Sequence, residues 1–224
     1  MPVDPNATVR ISAFNWVPDF ARGQVRDLRV RWALEEAGIP YRVRKLDAVA
    51  ERPSDYFAEQ PWGQVPSYRD QDVQLFESGA IVLHIGEKSD ALLPEDPEGR
   101  ARATAWLIAA LNSVEPPILQ LALLDLFWKD EPWVKEARPN VVAFVEKRLD
   151  RLVDWLGDKE WLEDRFTAGD LMMVTVLRAL DHTELVAKRP ALAAYKDRGM
   201  ARPAFKAALA AQLADFEERQ PAMA

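Results

Sequence analysis

One stretch constrains the fold of this chain more than any other: Gln60-Pro61-Trp62-Gly63-Gln64-Val65-Pro66-Ser67-Tyr68, followed after a polar turn by Leu75-Phe76-Glu77-Ser78-Gly79-Ala80-Ile81. Proline has no backbone N–H to give to a sheet ladder, so Pro66 at a strand start must sit at an edge or a bend. The backbone N–H and C=O of Val65 are thereby left to pair with something extended. Further on, Glu77-Ser78 carries the chain out of a strand into an apolar helix that Ser78 opens. A helix start combines unpaired N–H groups, a hydroxyl cap and positive dipole character, which together seat a carboxylate. A free strand edge beside such a seat suits a short, anionic, peptide-like ligand.

The surrounding pattern says what holds these segments. Up to about residue 91, strand and helix signals alternate. Val9, Ile11 and Ala13 alternate with more polar neighbours as a strand. Residues 24–37 form a helix with Val25, Leu28 and Trp32 on one face and charges on the other, ended by Gly38. Pro40 to Lys45 is a second strand, 53–59 a short irregular helix, and Ser67–Arg69 with Val73–Phe76 a hairpin around Asp70-Gln71-Asp72. The helix from Ser78 to about Lys88 closes the unit. The order β-α-β, then β-β-α, is that of a thioredoxin-like domain, and a right-handed crossover makes the first two strands parallel.

Leu92 to Gly99, with two prolines, a glycine and three acids, is a linker. Beyond Arg100 no strand pattern appears. Residues 100–113 form a helix that Pro116-Pro117 ends or kinks. Val142, Val145, Leu149, Leu152 and Leu156 put one apolar stripe on a helix over 140–156, and Pro190 and Pro203 lead two more helices. In Phe166-Thr167-Ala168-Gly169-Asp170, Thr167 and Asp170 have the spacing of a capping box, ahead of a buried helix from Leu171 to Leu180. The domains expected are therefore 8–91, thioredoxin-like α/β, and 100–220, an all-α helical bundle, joined by 92–99.

Composition removes whole classes of chemistry. The 224 residues contain no cysteine, which excludes disulfides, thiolate metal sites and protein thiol nucleophiles. His84 and His182 are the only histidines, so no histidine-rich metal site exists and no metal is expected. His84, inside an apolar helix, is expected to be structural, and His182 to be a helix-end or surface residue. A net charge of −7 with interspersed signs argues against nucleic acid as a partner. Met1 to Arg10 lacks the features of a signal peptide, and no apolar run is expected to reach the ~18 residues of a membrane span, so a cytoplasmic protein is expected.

The motif Pro-x-Gly-Gln-Val-Pro at 61–66, followed by Glu77-Ser78-x-Ala80-Ile81, resembles the glutathione-binding half of cytosolic, bacterial-like glutathione transferases. The Thr167–Asp170 box and Ala-Arg-Pro-Ala-Phe at 201–205 extend the resemblance over nearly the whole chain. It implies a cis Pro66, pairing of the Val65 backbone with the cysteinyl unit of glutathione, and Glu77-Ser78 on the γ-glutamyl end, with Gln64 completing the site. It further implies glutathione as co-substrate, a hydrophobic electrophile as partner in a detoxification reaction, and a homodimer. The second substrate is expected against the first helix of the helical half, where Trp106, Leu107, Ala110, Leu111 and Val114 lie on or near one face, with Phe127, Trp128 and Trp133 following.

The departure from that family is equally specific. Transferases usually place a Tyr, Ser or Cys just after the first strand to hold the glutathione sulfur as thiolate. Asn15 to Gln24 contains none of these. Counting back from Gly38-Ile39-Pro40 puts Gln24 at that position; a second register, with a helix beginning near Pro18, puts Val17 there. The thiolate-stabilising candidates are the N-terminus of the first helix, Arg22 as a cation, and Trp16, Gln24 or Asn15 as donors, with Arg22 expected to be the most sensitive. Three roles fit these residues: conjugation of glutathione to an electrophile, a non-catalytic glutathione- or protein-binding module, and a glutathione-dependent isomerase or lyase.

Overall fold

The alternation at Val9, Ile11 and Ala13 becomes β1 (Val9–Phe14), one of the two inner strands of a sheet in the order β2-β1-β3-β4. In the computed structural model, which describes residues 3–218, β2 (Tyr41–Leu46) runs parallel to β1. The hairpin strands β3 (Ser67–Arg69) and β4 (Gln74–Phe76) pair antiparallel, with β3 antiparallel to β1. Helix α1 (Asp27–Ala37) makes the crossover between the parallel strands, and α2 (Ser78–Gly86) follows the hairpin. Gly38 ends α1 with φ 65°, a conformation open to glycine without a Cβ penalty. The segment 53–59 is a single 3-10 turn over Ser54–Ala58.

The residues fall into two compact units. Among the described residues, one takes in 3–93 together with 202–218; the other is Pro94–Ala201. The last helix, α8 (Pro203–Asp215), thus groups with the sheet and not with the other helices. Its partner is α1. Trp32 packs edge-on against Phe205 at 4.9 Å, while Gln212 Nε2 donates to Asp27 at 2.7 Å and to the Val25 carbonyl at 3.1 Å. Arg31 donates to Asp27 at 2.8 Å and to Asp215 at 2.6 Å. The charged face of α1 is therefore covered, with Asp27 and Arg31 fully buried as an ion pair that Gln212 and Asp215 brace and in which Arg31 Nη1 lacks a partner among the described residues. A buried pair is tolerated only when such additional partners complete it.

The hairpin turn is tied to α2 through Asp70, which accepts from Lys88 at 2.6 Å, His84 at 2.8 Å and the Tyr68 hydroxyl at 3.0 Å. Burial would raise the Asp70 carboxyl, but the Lys88 and His84 contacts and two turn N–H groups hold it well below the usual carboxylate range. His84 is accordingly a structural residue.

In the helical unit, α3 (Pro97–Ala109) is capped by Asp96, which accepts from the Gly99 N–H at 2.7 Å. The helix does not end before Pro116-Pro117. A wide π turn over Ala110–Val114 leads straight into α4 (Glu115–Ala122) and a second π turn over Leu123–Phe127. Each proline ring crowds the carbonyl four residues back, and the widened turn displaces those carbonyls. The expectation that no apolar run reaches membrane length is corrected: by length and composition alone, the run Pro97–Phe127 is long and apolar enough to cross a membrane. Its Leu107, Ala110, Val114, Ile118, Leu121 and Leu124 are buried inside the helical unit, as in a core helix.

Helix α5 (Val134–Leu156) begins earlier than expected and carries Pro139 inside it; its buried stripe starts at Val134 and includes Val141 in place of Val142. Helix α6 (Ala168–Arg178) is buried along its whole length. The capping box forms: Thr167 Oγ1 accepts from the Gly169 N–H at 3.2 Å, and Asp170 accepts from the Thr167 N–H at 2.9 Å. Asp170 also receives the Leu162 N–H and the Tyr195 hydroxyl, both at 2.9 Å, tying α6 to α7 (Pro190–Ala201). Both residues serve the fold.

Candidate functional site

The Val65–Pro66 peptide bond is cis. The side chains of Val65 and Pro66 face inward, while the backbone N–H and C=O of Val65 make no hydrogen bond among the described residues. The turn before them is held by Gln60, whose Oε1 accepts from the Trp62 N–H at 2.7 Å and the Gln64 N–H at 3.3 Å. Arg52 donates to the Gly63 carbonyl at 3.0 Å. The Gln64 side chain is exposed. The Val65 backbone is therefore left open at the turn that leads into β3.

Ahead of α2, Glu77 has φ 68° and ψ 115°, a conformation a non-glycine residue reaches at a cost of about 1–3 kcal/mol. Glu77 occupies the cap position and Ser78 is already the first helical residue, with no side-chain cap bond at this end. The expectation that the Ser78 hydroxyl caps the helix is thus corrected by a single residue of register. With no cap, the N–H groups of Ser78, Gly79 and Ala80 have no partner among the described residues. Ser78 Oγ instead accepts from Arg29 Nη1 at 3.3 Å, and both residues are buried. Sequence reasoning missed Arg29. The signal was its place beside Val25, Leu28 and Trp32 on the inward face of α1, where an arginine needs a partner.

The segment after β1 decides between the two registers. Only Asp19–Ala21 is helical there, as one 3-10 turn, and α1 starts at Asp27. No longer helix runs from Pro18, and Val17 is a buried apolar residue. Gln24 stands exposed just before α1, the position counted from Gly38. Arg22 donates through Nη2 to the Glu217 carbonyl at 3.0 Å and stacks over Phe216 at 5.8 Å. Asn15 is engaged through both its amide atoms: its side chain donates to Glu217 at 3.2 Å and accepts from the Ala48 N–H at 3.3 Å. Trp16 is half-buried, and its indole N–H has no partner among the described residues. The backbone N–H groups of Val25 and Asp27, at the entry to α1, are likewise open.

Of the residues expected to contact a second substrate, Leu107, Ala110 and Val114 lie in the core of the helical unit and Leu111 is half-buried. Trp106 packs on Trp155 at 5.1 Å and donates to Glu163 at 2.7 Å. Phe127, Trp128 and Trp133 are exposed around the turn that precedes α5. His182 contacts Asp125 at 3.3 Å, beside the two Arg138 bonds that Asp125 accepts at 2.6 and 3.0 Å. It is a helix-end residue, as its position indicated.

Residues 20–87 match the family model of the glutathione S-transferase N-terminal domain, and residues 114–203 that of the C-terminal domain. The chain is 30% identical over 188 residues to glutathione S-transferase GstA of Escherichia coli O157:H7, covering 80% of this chain and 90% of the relative. It is 29% identical over 195 residues to glutathione S-transferase F10 of Arabidopsis thaliana, covering 77% and 86%. Among solved structures, a Burkholderia graminis glutathione transferase with two bound glutathione molecules per subunit superposes with a TM-score of 0.79 at 25% identity, covering 93% and 90%. A glutathione transferase family member from Pseudomonas fluorescens with two glutathione bound matches in fold, with a TM-score of 0.79 at 22% identity, covering 93% and 95%. The open Val65 edge, the uncapped α2 and the two matched domains lead to one conclusion: the chain belongs to the glutathione S-transferase family.

Proposed function

We propose that this protein binds glutathione and conjugates it to a hydrophobic electrophile. The observation that carries this is the pairing of an open Val65 backbone at a cis-proline turn with an uncapped helix start at Ser78. Val65 pairs with the cysteinyl backbone; Ser78 and the N–H groups of Gly79 and Ala80 receive the γ-glutamyl carboxylate, with the Arg29 charge behind them. Gln64 and Glu77 border the same ligand.

The thiol of glutathione, pKa about 8.5 when free, must be held as thiolate at neutral pH. No hydroxyl is available, so the open N–H groups at the entry to α1 and the Trp16 indole N–H take that role, with Arg22 adding positive charge and Gln24 at the mouth. The thiolate sulfur attacks an electrophilic carbon, such as that of an activated aryl halide. A C–S bond forms, the halide leaves with its electron pair, and the thiol proton passes to solvent. The functional unit is a homodimer, with the sheet unit of one subunit against the helical unit of the other. Exposed Trp62 and Phe57 on the first unit and Ile108 and Phe144 on the second are its apolar material.

Calorimetry with glutathione, and turnover of an activated aryl halide followed across pH, test the reading. Binding with turnover supports it. No binding at millimolar glutathione removes it. Binding without turnover of any electrophile selects the non-catalytic module, and turnover only of a compound that is isomerised or cleaved selects the isomerase or lyase. Light scattering at micromolar protein tests the dimer.

A further inference from the structure

Behind the cis-proline turn lies a closed cluster of hydroxyl groups. Tyr56, fully buried, donates through its hydroxyl to the Gln64 carbonyl at 2.6 Å and stands 2.7 Å from Ser12 Oγ. Ser12 Oγ in turn accepts the Ser67 backbone N–H at 2.6 Å. Ser67 Oγ lies 3.1 Å from Ser12 Oγ and 3.0 Å from Glu59 Oε2, while Glu59 Oε1 is anchored by Arg10 at 2.6 Å and Arg44 at 2.7 Å. Ser12, Ser67 and Glu59 are all buried.

The proton positions follow from the ends of the cluster. A carbonyl only accepts, so the Tyr56 proton points to Gln64. Ser12 must then donate to the Tyr56 oxygen, which leaves its own oxygen to receive the Ser67 N–H. The single Ser67 hydroxyl proton goes to the Glu59 carboxylate, the stronger acceptor. Every hydroxyl proton has one destination, and burial raises the Tyr56 pKa, so it remains a donor at neutral pH.

The cluster grips both sides of the Val65–Pro66 bond. The Gln64 carbonyl and the Val65 N–H belong to one planar trans peptide, in which the two groups point in opposite directions. Drawing that carbonyl inward turns the Val65 N–H outward. The Ser67 N–H, on the far side of the proline, is held by the same cluster. We propose that Tyr56 and Ser12 are positioning residues that aim the Val65 peptide at the cysteinyl backbone of glutathione. This inference rests on the glutathione reading of the turn.

Tyr56→Phe keeps the ring, including its stack under Arg44 at 5.4 Å, and deletes only the oxygen. The dissociation constant for glutathione is expected to rise about five- to tenfold, the scale of one misaligned hydrogen bond. The kcat at saturating glutathione and the KM for the electrophile should stay unchanged. Ser12→Ala should do the same, and Ser12→Thr, which restores a hydroxyl, should recover affinity. Melting temperatures accompany each affinity, measured well below unfolding; should Tyr56→Phe fail to fold, the Ser12 pair decides. Absence of glutathione binding by the wild type removes the reading of the turn, and this proposal with it. Binding by the wild type, with unchanged affinity in Tyr56→Phe and Ser12→Ala, overturns the proposal alone and leaves the cluster a purely structural one.

Discussion

Ser78→Ala and Thr167→Ala remove one hydroxyl each from a helix start, and the structure predicts opposite consequences. Thr167 is a cap, accepting from the Gly169 N–H, and losing such a cap costs about 1 kcal/mol. For a chain of this size that is a melting-temperature fall of roughly 2–4 °C. Ser78 caps nothing. Its one bond is the 3.3 Å contact from Arg29, which has further partners, so its loss should cost no more than about 0.5 kcal/mol. Affinity should behave the other way. A hydroxyl donating to a carboxylate contributes about 1.5–3 kcal/mol, which is roughly 10- to 150-fold in glutathione dissociation constant. Calorimetry and thermal melts on the two variants separate the terms. Ser78→Ala should bind weakly and melt nearly as the wild type, and Thr167→Ala should melt early and bind normally. A Ser78→Ala protein that melts as early as Thr167→Ala but binds glutathione unchanged would refute the argument from helix register.

Trp16→Phe should raise the apparent pKa of the bound thiol and lower kcat/KM at neutral pH about three- to tenfold, because it deletes an indole N–H that has no partner among the described residues. Arg22→Ala should change both less, since its guanidinium is occupied by the Glu217 carbonyl; the reverse order in a pH–rate profile would restore Arg22 as the principal group. In Gly169→Ala the new methyl would meet Trp106 Cβ at 2.6 Å and the Ala103 carbonyl at 3.1 Å, pushing α6 off α3. A cost of about 1–3 kcal/mol should appear as a lower melting temperature, and a higher one would show the space to be larger. Asp70→Asn loses a carboxylate whose folded pKa is depressed, so its contribution is present above the unfolded value and fades as pH falls. Urea melts should show the wild type's advantage in full near pH 6 and shrinking below about pH 4, and a gap constant down to pH 3 would sink the assignment.

What could be read in advance was what a short span of chain enforces. Pro66 lacks an N–H whatever surrounds it, and Thr167 and Asp170 are near enough in sequence to close a box unaided, so both were readable without a structure. Distant partners were not. Ser12 meets Tyr56 across 44 residues and Asp27 meets Gln212 across 185, and nothing in either local pattern names the other. Periodicity identified the polar face of α1 correctly but could not distinguish water from α8 as what covers it. Periodicity was also blind to the wide turn that carries the chain through Pro116-Pro117, since that turn depends on hydrogen-bond spacing and not on residue type.

The misplacement at Ser78 has a different origin. A cap and a first helical residue differ by one position, and residue type favours serine for the cap over the glutamate before it. Glu77, at φ 68°, takes the cap position in a conformation that intrinsic preference disfavours. A residue held there costs stability, and such costs persist where the surroundings over-determine them, commonly at ligand sites. The local rule therefore failed at the place proposed here as the carboxylate seat. With serine as cap, its oxygen would be spent on a helix N–H; with Glu77 in that place, the hydroxyl and three backbone N–H groups all remain open to one carboxylate.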